Sequence, residues 1–342
     1  MVKLQLIVSS LCLASLSITA ALPTTNSAAC TNPIKRLEWR QLSDPQKRNY
    51  INAVLCLTTK KAKSGIPGTI NRFDDFQAIH VDQNDHIHFV GHFLQWHRYF
   101  IATCEKTLRE DCGYTGAQPY WDYTLDAEPQ NPTSTRPYDS EIFQPDTGFG
   151  GNGVKVEPTP EQNFLNLTGG TGGGCVQTGP FTADKFMVNY PGPPSCLRRD
   201  FMPTLLNTWA DPKLEKAQLE APDFVTFDRT MQGSKTTFAP NIHGSGHFGV
   251  GGVLGQAGDP ANSPAEPLFY LHHANLDRIY WQWQQRDLQV RLREVGGPVF
   301  AEDYFGKNVT LDFEINIGAL APSRRLEDLM HIQRGPFCYT YE

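Results

Sequence analysis

Residues 267–278 have the sequence PLFYLHHANLDR, in which a proline precedes an apolar run that carries two adjacent histidines. Apolar residues continue at three- to four-residue spacing over residues 279–283, which is the pattern of a helix with a buried face. We therefore expect a helix to begin after Pro267. This helix would carry His272 and His273, and histidine is the commonest side-chain metal ligand.

Nine of the ten histidines lie in two clusters along the chain. The first cluster consists of His80, His86, His88, His92 and His97, and the second of His243, His247, His272 and His273. Neutral imidazole suits copper, zinc, iron and nickel, so the two clusters suggest one site that holds two metal ions. The ~145 residues between them would then return the chain to its starting point, which favours one domain over two.

The second cluster has a spacing that suits a helix. His243 and His247 are four residues apart, which on a helix places their Cβ atoms ~5–6 Å apart on one face, where both can bind one ion. A zinc-protease motif would need Glu directly after the first histidine, and residue 244 is Gly. We expect His273 as the third ligand and Asp277 as the acceptor that fixes the tautomer of a ligand imidazole. The alternative is an ordinary exposed pair of histidines.

The first cluster leaves its ligands open. His97 lies early on a helix predicted over residues 93–110, whereas His80 and His88 precede that helix in a predicted loop. Three histidines from a loop and the start of a helix would bind a second metal ion through three imidazoles. Five histidines compete for these three places, and spacing alone does not choose among them.

Composition and periodicity set the fold class. The chain has 342 residues and a net charge of −6 without a strongly basic stretch, so nucleic acid is not an expected partner. Helical periodicity over residues 38–63 and 93–110, and near 199–209, contrasts with a Gly- and Pro-rich loop over 126–195. We expect a mainly α protein in which a four-helix bundle carries a dinuclear site, with long loops and few short strands.

Residues 1–21 are predicted to be a secretory signal peptide. Lys3 precedes an apolar run that ends at the small-residue sequence Ile18-Thr19-Ala20. A membrane anchor is the alternative, but the run contains serines and falls short of the ~20 residues of a span. We expect a secreted protein that does not associate with a membrane. Asn166 and Asn308 lie in N-glycosylation sequons and are expected as sites for N-glycans.

The cysteines fit an oxidising compartment. After the signal peptide, seven remain, so most should pair and one must be left over. Connectivity does not follow from the sequence. The pairing that we expect joins Cys30 to Cys338 and Cys175 to Cys196, with Cys104 as the unpaired thiol in a helix.

Two longer motifs resemble the copper-binding motifs of the tyrosinase family. The first comprises DDFQAIH over residues 74–80, IH at 87–88 and GHFLQWHRYF over 91–100; the second comprises the His243-x3-His247 pair and residues 267–278. PYWD over 119–122 and YTY over 339–341 also resemble family landmarks. The resemblance is to short secreted fungal polyphenol oxidases and catechol oxidases. It implies a single copper-oxidase domain over residues 22–342, without a C-terminal shielding domain.

The resemblance also implies a ligand set and a reaction. It implies a type-3 pair of copper ions, with O₂ as co-substrate, held by His80, His88, His97, His243, His247 and His273. His272 would lie beside this set, and His86 and His92 outside it. The substrates would be small phenols, and the reaction would be the oxidation of a diphenol to a quinone. A hemocyanin-like oxygen-binding protein is an alternative with the same ions.

Several positions depart from the family pattern. His86 stands where some branches carry a cysteine bonded to a ligand ring, so that thioether is excluded, and Glu266 replaces an Asp. Gln232 stands where many members carry a Glu that positions a water. An amide can hold a water but is not a useful base. We therefore expect oxidation of catechols or o-aminophenols with weak or absent monophenol hydroxylation, a true tyrosinase with monophenol monooxygenase activity being the alternative. Gly244 and Phe248 match positions that shape substrate access, and Gly244 is expected to leave room.

Overall fold

The computed structural model describes residues 30–342. The predicted signal peptide therefore lies outside the described residues. The described chain is mainly helical, as predicted. Its α-helices are α1 (Asp44–Leu57), α2 (Arg72–Ile87), α3 (Phe93–Cys112), α4 (Pro203–Trp209), α5 (Pro212–Leu219), α6 (Phe224–Gln232), α7 (Ile242–Gly251), α8 (Leu268–Gln285) and α9 (Leu288–Arg291).

The strands are short, as the sequence predicted, and they form two-stranded sheets. β1 (Ile34–Arg36) pairs in parallel with β8 (Tyr339–Tyr341), which joins the two ends of the described chain. The antiparallel pairs are β2 (Gly153–Lys155) with β3 (Gly173–Val176), β4 (Met187–Val188) with β5 (Ser195–Cys196), and β6 (Glu314–Ile315) with β7 (Arg324–Arg325).

Four helices, α2, α3, α7 and α8, form the centre of the molecule, where α8 packs against α3 and α7. Apolar side chains from three of them fill the core between the helices. The ring of Phe100 lies 5.5 Å from that of Phe76 and 6.1 Å from that of Phe269, measured between centroids. Aromatic rings packed edge to face at such distances add to the free energy of burial.

The prediction that His80 lies in a loop is wrong, because residues 72–87 form α2. This helix starts at Asn71, whose side chain accepts a hydrogen bond from the backbone N–H of Asp74. The Asp74 carboxylate accepts the backbone N–H of Asn71 in return. Two acids in the first turn, Asp74 and Asp75, are buried rather than exposed, and this polar burial hides the helical period in the sequence. Helix α1 is also shorter than predicted, since it begins only after Ser43.

The predicted cysteine assignments are confirmed. Disulfides join Cys30 to Cys338 and Cys175 to Cys196, and Cys104 is buried on α3 without a cysteine partner in the described chain. The third disulfide, Cys56–Cys112, ties the end of α1 to the end of α3; the sequence analysis assigned no partner to these two. The Cys175–Cys196 bond closes the second half of the long loop over residues 126–195.

Two further predictions concern the surface. Asn166 and Asn308 are both exposed, so each is accessible to glycosylation, which stays a prediction. Within residues 30–342, no helix has both the length and the apolar character needed to cross a bilayer.

Candidate metal centre

The six histidines predicted as ligands converge at the centre of the helical core. His80 lies on α2, His88 directly follows α2, and His97 lies in the second turn of α3. One ring nitrogen from each of these three lies within 4.8 Å of the others. His243 and His247 lie on α7 and His273 on α8, and they form a second group at the same spacing, together with His272.

The two groups face each other across one site. The rings of His97 and His273 are stacked, with centroids 4.4 Å apart and planes inclined by 12°. His88 and His243 are also nearly parallel, at 6.3 Å. The packing of α3 along α8 therefore brings histidines that are far apart in sequence into direct contact.

Backbone carbonyls orient four of the rings. The Nδ1 atom of His80 lies 2.8 Å from the carbonyl oxygen of Ala261, and Nδ1 of His247 lies 2.8 Å from that of Ala257. The Nδ1 atoms of His88 and His97 bond the carbonyl oxygens four residues earlier in the chain. A carbonyl oxygen only accepts, so each Nδ1 must carry the proton, which leaves each Nε2 with a free lone pair.

Those Nε2 atoms have the properties of metal ligands. In His80, His97 and His243, Nε2 is buried without a hydrogen-bond partner among residues 30–342. Nε2 of His247 lies 3.2 Å from Nε2 of His273, so two ring nitrogens face each other at a distance that a shared metal ion would explain. Buried polar atoms normally have partners, and a cluster of unpaired imidazole nitrogens fits copper or zinc.

Burial keeps the imidazoles neutral. Desolvation lowers the pKa of His88 and of His247 to about 4. The same cause, with the neighbouring imidazoles, lowers the pKa of His80, His97, His243 and His273 well below the usual value. Neutral imidazole is the form that binds metal, so the site is set for metal binding near neutral pH. No carboxylate of the described chain joins either group.

The three other clustered histidines differ in position. His86 is exposed, and its carbonyl oxygen lies 2.9 Å from Nε2 of the buried His92; neither belongs to a group. His272 does belong to the second group, and its ring packs against the backbone of α7 at Gly246. It stacks on His243 at 5.8 Å, whereas His273 contacts the first group through His97. Both ring nitrogens of His272 are also buried without a hydrogen-bond partner among the described residues, so the choice of His273 over His272 as the ligand stays a prediction.

Asp277 does not accept a hydrogen bond from a ligand imidazole, contrary to the prediction. Its carboxylate accepts hydrogen bonds from Arg98 at 2.5 Å and from the hydroxyls of Tyr339 and Tyr341 at 2.6 Å. Arg36 lies 3.4 Å away. The residue therefore ties α8 to α3 and to strand β8, and backbone carbonyls perform the role that we had assigned to it.

A family model described as the common central domain of tyrosinase matches residues 70–286. This range contains all six converging histidines and most of the helical core. The chain belongs to the tyrosinase family. Members of this family bind a type-3 pair of copper ions, which agrees with the donor set found here.

Individual relatives match almost the whole chain. Tyrosinase P of Aspergillus terreus is 32% identical, over 97% of this chain and 98% of that protein. N-acetyl-6-hydroxytryptophan oxidase of Emericella nidulans is 31% identical, over 98% of this chain and 100% of that protein. A solved structure of a variant polyphenol oxidase from Thermothelomyces thermophila has a TM-score of 0.78 at 32% identity, and the match covers 91% of this chain and 89% of that chain.

A cavity leads to the histidines of this tyrosinase-family protein. It has a volume of about 400 Å³ and is lined by His88, His243 and His247, by aromatic side chains, and by Gln232 and Gly244. A larger groove of about 550 Å³ runs along α3 and the C-terminal segment, and none of the six histidines lines it. The smaller cavity is therefore the candidate substrate site.

Gln232, at the end of α6, is held by several hydrogen bonds. Its Oε1 accepts the backbone N–H of Phe89, while Nε2 donates to the carbonyl oxygen of Val90 and to Asp228 Oδ2. Phe89 follows the predicted ligand His88 and has a φ of 57°, a backbone conformation that residues other than glycine rarely adopt. The amide thus pins a strained segment beside His88. Neither this role of Gln232 nor the contact with Asp228 could be predicted from the sequence, because neither leaves a mark in the spacing of the residues.

The prediction that Gly244 leaves room is wrong, because the space beside it is filled. A Cβ atom at position 244 would lie 2.5 Å from Cζ3 of Trp209, at the end of α4. Phe248, the other predicted access residue, is partly buried and lies 6.0 Å from Trp209 between ring centroids. No sequence signal pointed to Trp209.

Proposed function

We propose that this protein holds two copper ions and uses O₂ to oxidise o-diphenols or o-aminophenols to quinones. The observation that carries the proposal is the pair of facing groups of neutral imidazoles, buried or partly buried, at the end of a cavity. His80, His88 and His97 would hold one ion, and His243, His247 and His273 the other. When bound, the copper pair supplies O₂ binding and electron transfer.

The chain's own residues bind and orient the reactants. The carbonyl oxygens of Ala261 and Ala257 hold two ligand rings from outside, so those rings keep their Nε2 atoms turned inward. Apolar side chains in the cavity wall bind the face of an aromatic ring. In the balanced reaction, two catechols each give up two electrons and two protons, and one O₂ accepts all four electrons to form two waters.

The residue at position 232 explains why we expect catechols to be oxidised faster than monophenols. The neutral amide of Gln232 cannot accept the proton of a monophenol, and its hydrogen bonds engage it with Phe89, Val90 and Asp228. A catechol is more easily oxidised and needs no added oxygen atom. We therefore propose that monophenol hydroxylation is weak or absent. We also propose that Gln232 positions a water molecule in the cavity.

We also propose that the protein is secreted and glycosylated. Residues 1–21 would direct secretion, and residues 22–342 would form a single copper-oxidase domain. Three disulfides within residues 30–342 support an oxidising compartment. Exposed Asn166 and Asn308 would be able to carry glycans.

Oxygen consumption by the copper-loaded protein tests the proposed activity. Three substrates are compared: a catechol, its monophenol and an o-aminophenol, with copper content measured on the same sample. We expect about two coppers per chain, turnover of the catechol or the o-aminophenol, and at most slow turnover of the monophenol. Steady monophenol turnover without a trace of catechol would instead identify a true tyrosinase. Reversible oxygenation without turnover would identify an oxygen carrier.

A further inference from the structure

The cavity wall beside the ligand His243 is built by a residue from another helix. Gly244 follows His243, and its N–H donates to the side chain of Asn241 at the start of α7. The indole of Trp209 occupies the volume where a side chain at position 244 would lie, with Cζ3 at 2.5 Å and Cε3 at 2.8 Å from an added Cβ. An aromatic face from α4 therefore stands in place of a side chain on α7.

Close packing of α4 against α7 holds the indole in this position. A Cβ atom at Gly249, further along α7, would lie 2.9 Å from Cβ of Leu206 on α4. Glycine at positions 244 and 249 therefore permits this approach of the two helices. Phe238, in the segment between α6 and α7, covers the indole on the outer side at a centroid distance of 4.6 Å.

Trp209, Phe238 and Phe248 together form an aromatic cluster that we call the aromatic wall. The rings of Phe238 and Phe248 lie 5.1 Å apart, and all three residues line the cavity. Phe238 is 42% exposed, whereas Trp209 is 4% exposed. The outer ring is thus accessible to solvent, whereas the inner one is enclosed by its neighbours.

The size and charge of the cavity limit what can lie against this wall. Its volume of about 400 Å³ falls within the range of sites that enclose molecules larger than one ring. Among the described residues that line it, Asp85 and Lys235 are the charged side chains other than histidine, and their charges offset each other. The cavity therefore favours uncharged, extended aromatic substrates.

We infer that Trp209 is a specificity-determining residue that selects catechols with a second ring or a similar apolar extension. The inference deepens the proposed function and rests on it. The diphenol ring lies at the histidines, and the extension packs on the aromatic wall. Trp209 is a buried neighbour of the site that touches the substrate's extension, so it acts on binding and not on electron transfer.

Steady-state kinetics with two probes test this inference. The probes are 4-methylcatechol, with one ring, and 4-phenylcatechol, with two. For Trp209→Ala we expect KM for 4-phenylcatechol to rise about tenfold, the scale of one lost aromatic contact, while KM for 4-methylcatechol stays within about twofold. The kcat for each probe stays unchanged. Trp209→Phe, which keeps a ring, recovers most of the loss.

Phe305→Ala is the matched control, because Phe305 is a fully exposed aromatic residue that does not line the cavity. We expect it to leave both KM values unchanged. Equal effects of Trp209→Ala on both probes, no effect on either, or an effect of Phe305→Ala alone would each overturn the inference.

A thermal-unfolding cycle tests the packing without using activity. In the wild-type background, Gly244→Ala forces the added methyl into the indole and lowers Tm. In the Trp209→Ala background the same substitution lowers Tm much less, because the indole is gone and Ala is the better helix former, and only the contact of the methyl with the Asn241 side chain remains. An equal Tm change in both backgrounds contradicts the contact. If the wild type oxidises neither probe, the proposed function fails while this cycle still reports on the wall.

Discussion

At the scale of single residues, the site depends on which imidazoles turn inward. Histidines with similar neighbours in the sequence behave differently in the structure. His88 is buried among other rings, whereas His86, two residues earlier, is exposed. The difference follows from the end of α2, since His88 is the first residue beyond the helix and its ring turns into the core.

His88→Ala is predicted to lower copper content from about two ions to about one per chain, because a three-imidazole site that loses one ligand binds its metal weakly. His86→Ala is the matched control, taken from the same segment, and should retain both ions. Metal analysis of purified, copper-loaded protein measures the effect. Equal copper loss in the two variants would remove His88 from the ligand set.

The pair of Gln232 and Asp228 gives a second prediction at this scale. Burial raises the pKa of Asp228 well above its usual value, and its carboxylate accepts a hydrogen bond from Gln232 at 2.7 Å. In Gln232→Glu alone, two carboxyl groups would meet and share a proton. The double variant Asp228→Asn/Gln232→Glu exchanges the acid and the amide and places one carboxylate at position 232.

We expect the double variant to show a higher ratio of monophenol to catechol turnover than the wild type, because the cavity gains a base. The single variant Asp228→Asn serves as the control and should leave the ratio unchanged. Oxygen uptake with tyramine and dopamine provides the measurement. A ratio that stays at the wild-type value in the double variant would show that position 232 does not set the substrate class.

At the scale of elements, the long segment over residues 126–195 is ordered without long helices or strands. Its β3 and β5 strands are joined by the Cys175–Cys196 disulfide, and Arg199, just beyond it, forms a fully buried ion pair with Glu266 at 2.8 Å. Arg199 also donates to the carbonyl oxygens of Phe149 and Gly150. Glu266 thus anchors the start of α8 to this loop, which gives a physical reason for an acid at that position.

Replacing Cys175 and Cys196 by Ser is predicted to lower the free energy of unfolding by about 3 kcal/mol, as expected for a loop of this length. Copper content should not change, because all six proposed ligands lie outside the loop. Chemical denaturation and metal analysis provide the two readouts. Unchanged stability would show that the Arg199 contacts alone hold the segment.

At the scale of the whole molecule, one buried network joins both ends of the chain to the core. Asp277 on α8 contacts Arg98 on α3, Arg36 on β1 and the two tyrosines of β8. Burial by itself would raise the pKa of Asp277, but Arg98 and Arg36 outweigh it and hold the pKa below 3.8. The carboxylate therefore stays charged at the pH at which the protein folds.

Asp277→Asn is predicted to destabilise the protein by about 3–5 kcal/mol at neutral pH, because it leaves buried arginines without their partner. Because folding lowers the pKa of this carboxyl group, its charge stabilises the fold at any pH above its pKa in the unfolded chain, near 3.8. This stabilisation is lost as the pH falls through the pKa of the folded state. The difference between variant and wild type should therefore shrink only below about pH 4. Denaturant titrations from pH 7 to 3 measure it, with the exposed Asp146→Asn as the control. A constant difference across this range would contradict the charged state.

Much of the fold and the site could be predicted from local patterns. The apolar periods of residues 93–110 and 268–283 predicted α3 and α8, and the histidine spacing predicted two groups of ligands. Helix α2 was missed because its first turn buries Asp74 and Asp75, so its polar residues do not mark an exposed face. Hydrophobic periodicity predicts a helix only where the exposed positions are polar and the buried positions are apolar.

The sequence by itself determined the family, the helices that carry the histidines and the chemistry that neutral imidazoles permit. Only the tertiary structure decided that carbonyl oxygens of Ala257 and Ala261 orient the rings of His247 and His80, that Asp277 contacts the buried arginines of the core, and that Trp209 fills the space beside Gly244. The reason is physical. A spacing of three or four residues constrains neighbours on one helix, whereas contacts between distant residues arise only when whole helices pack.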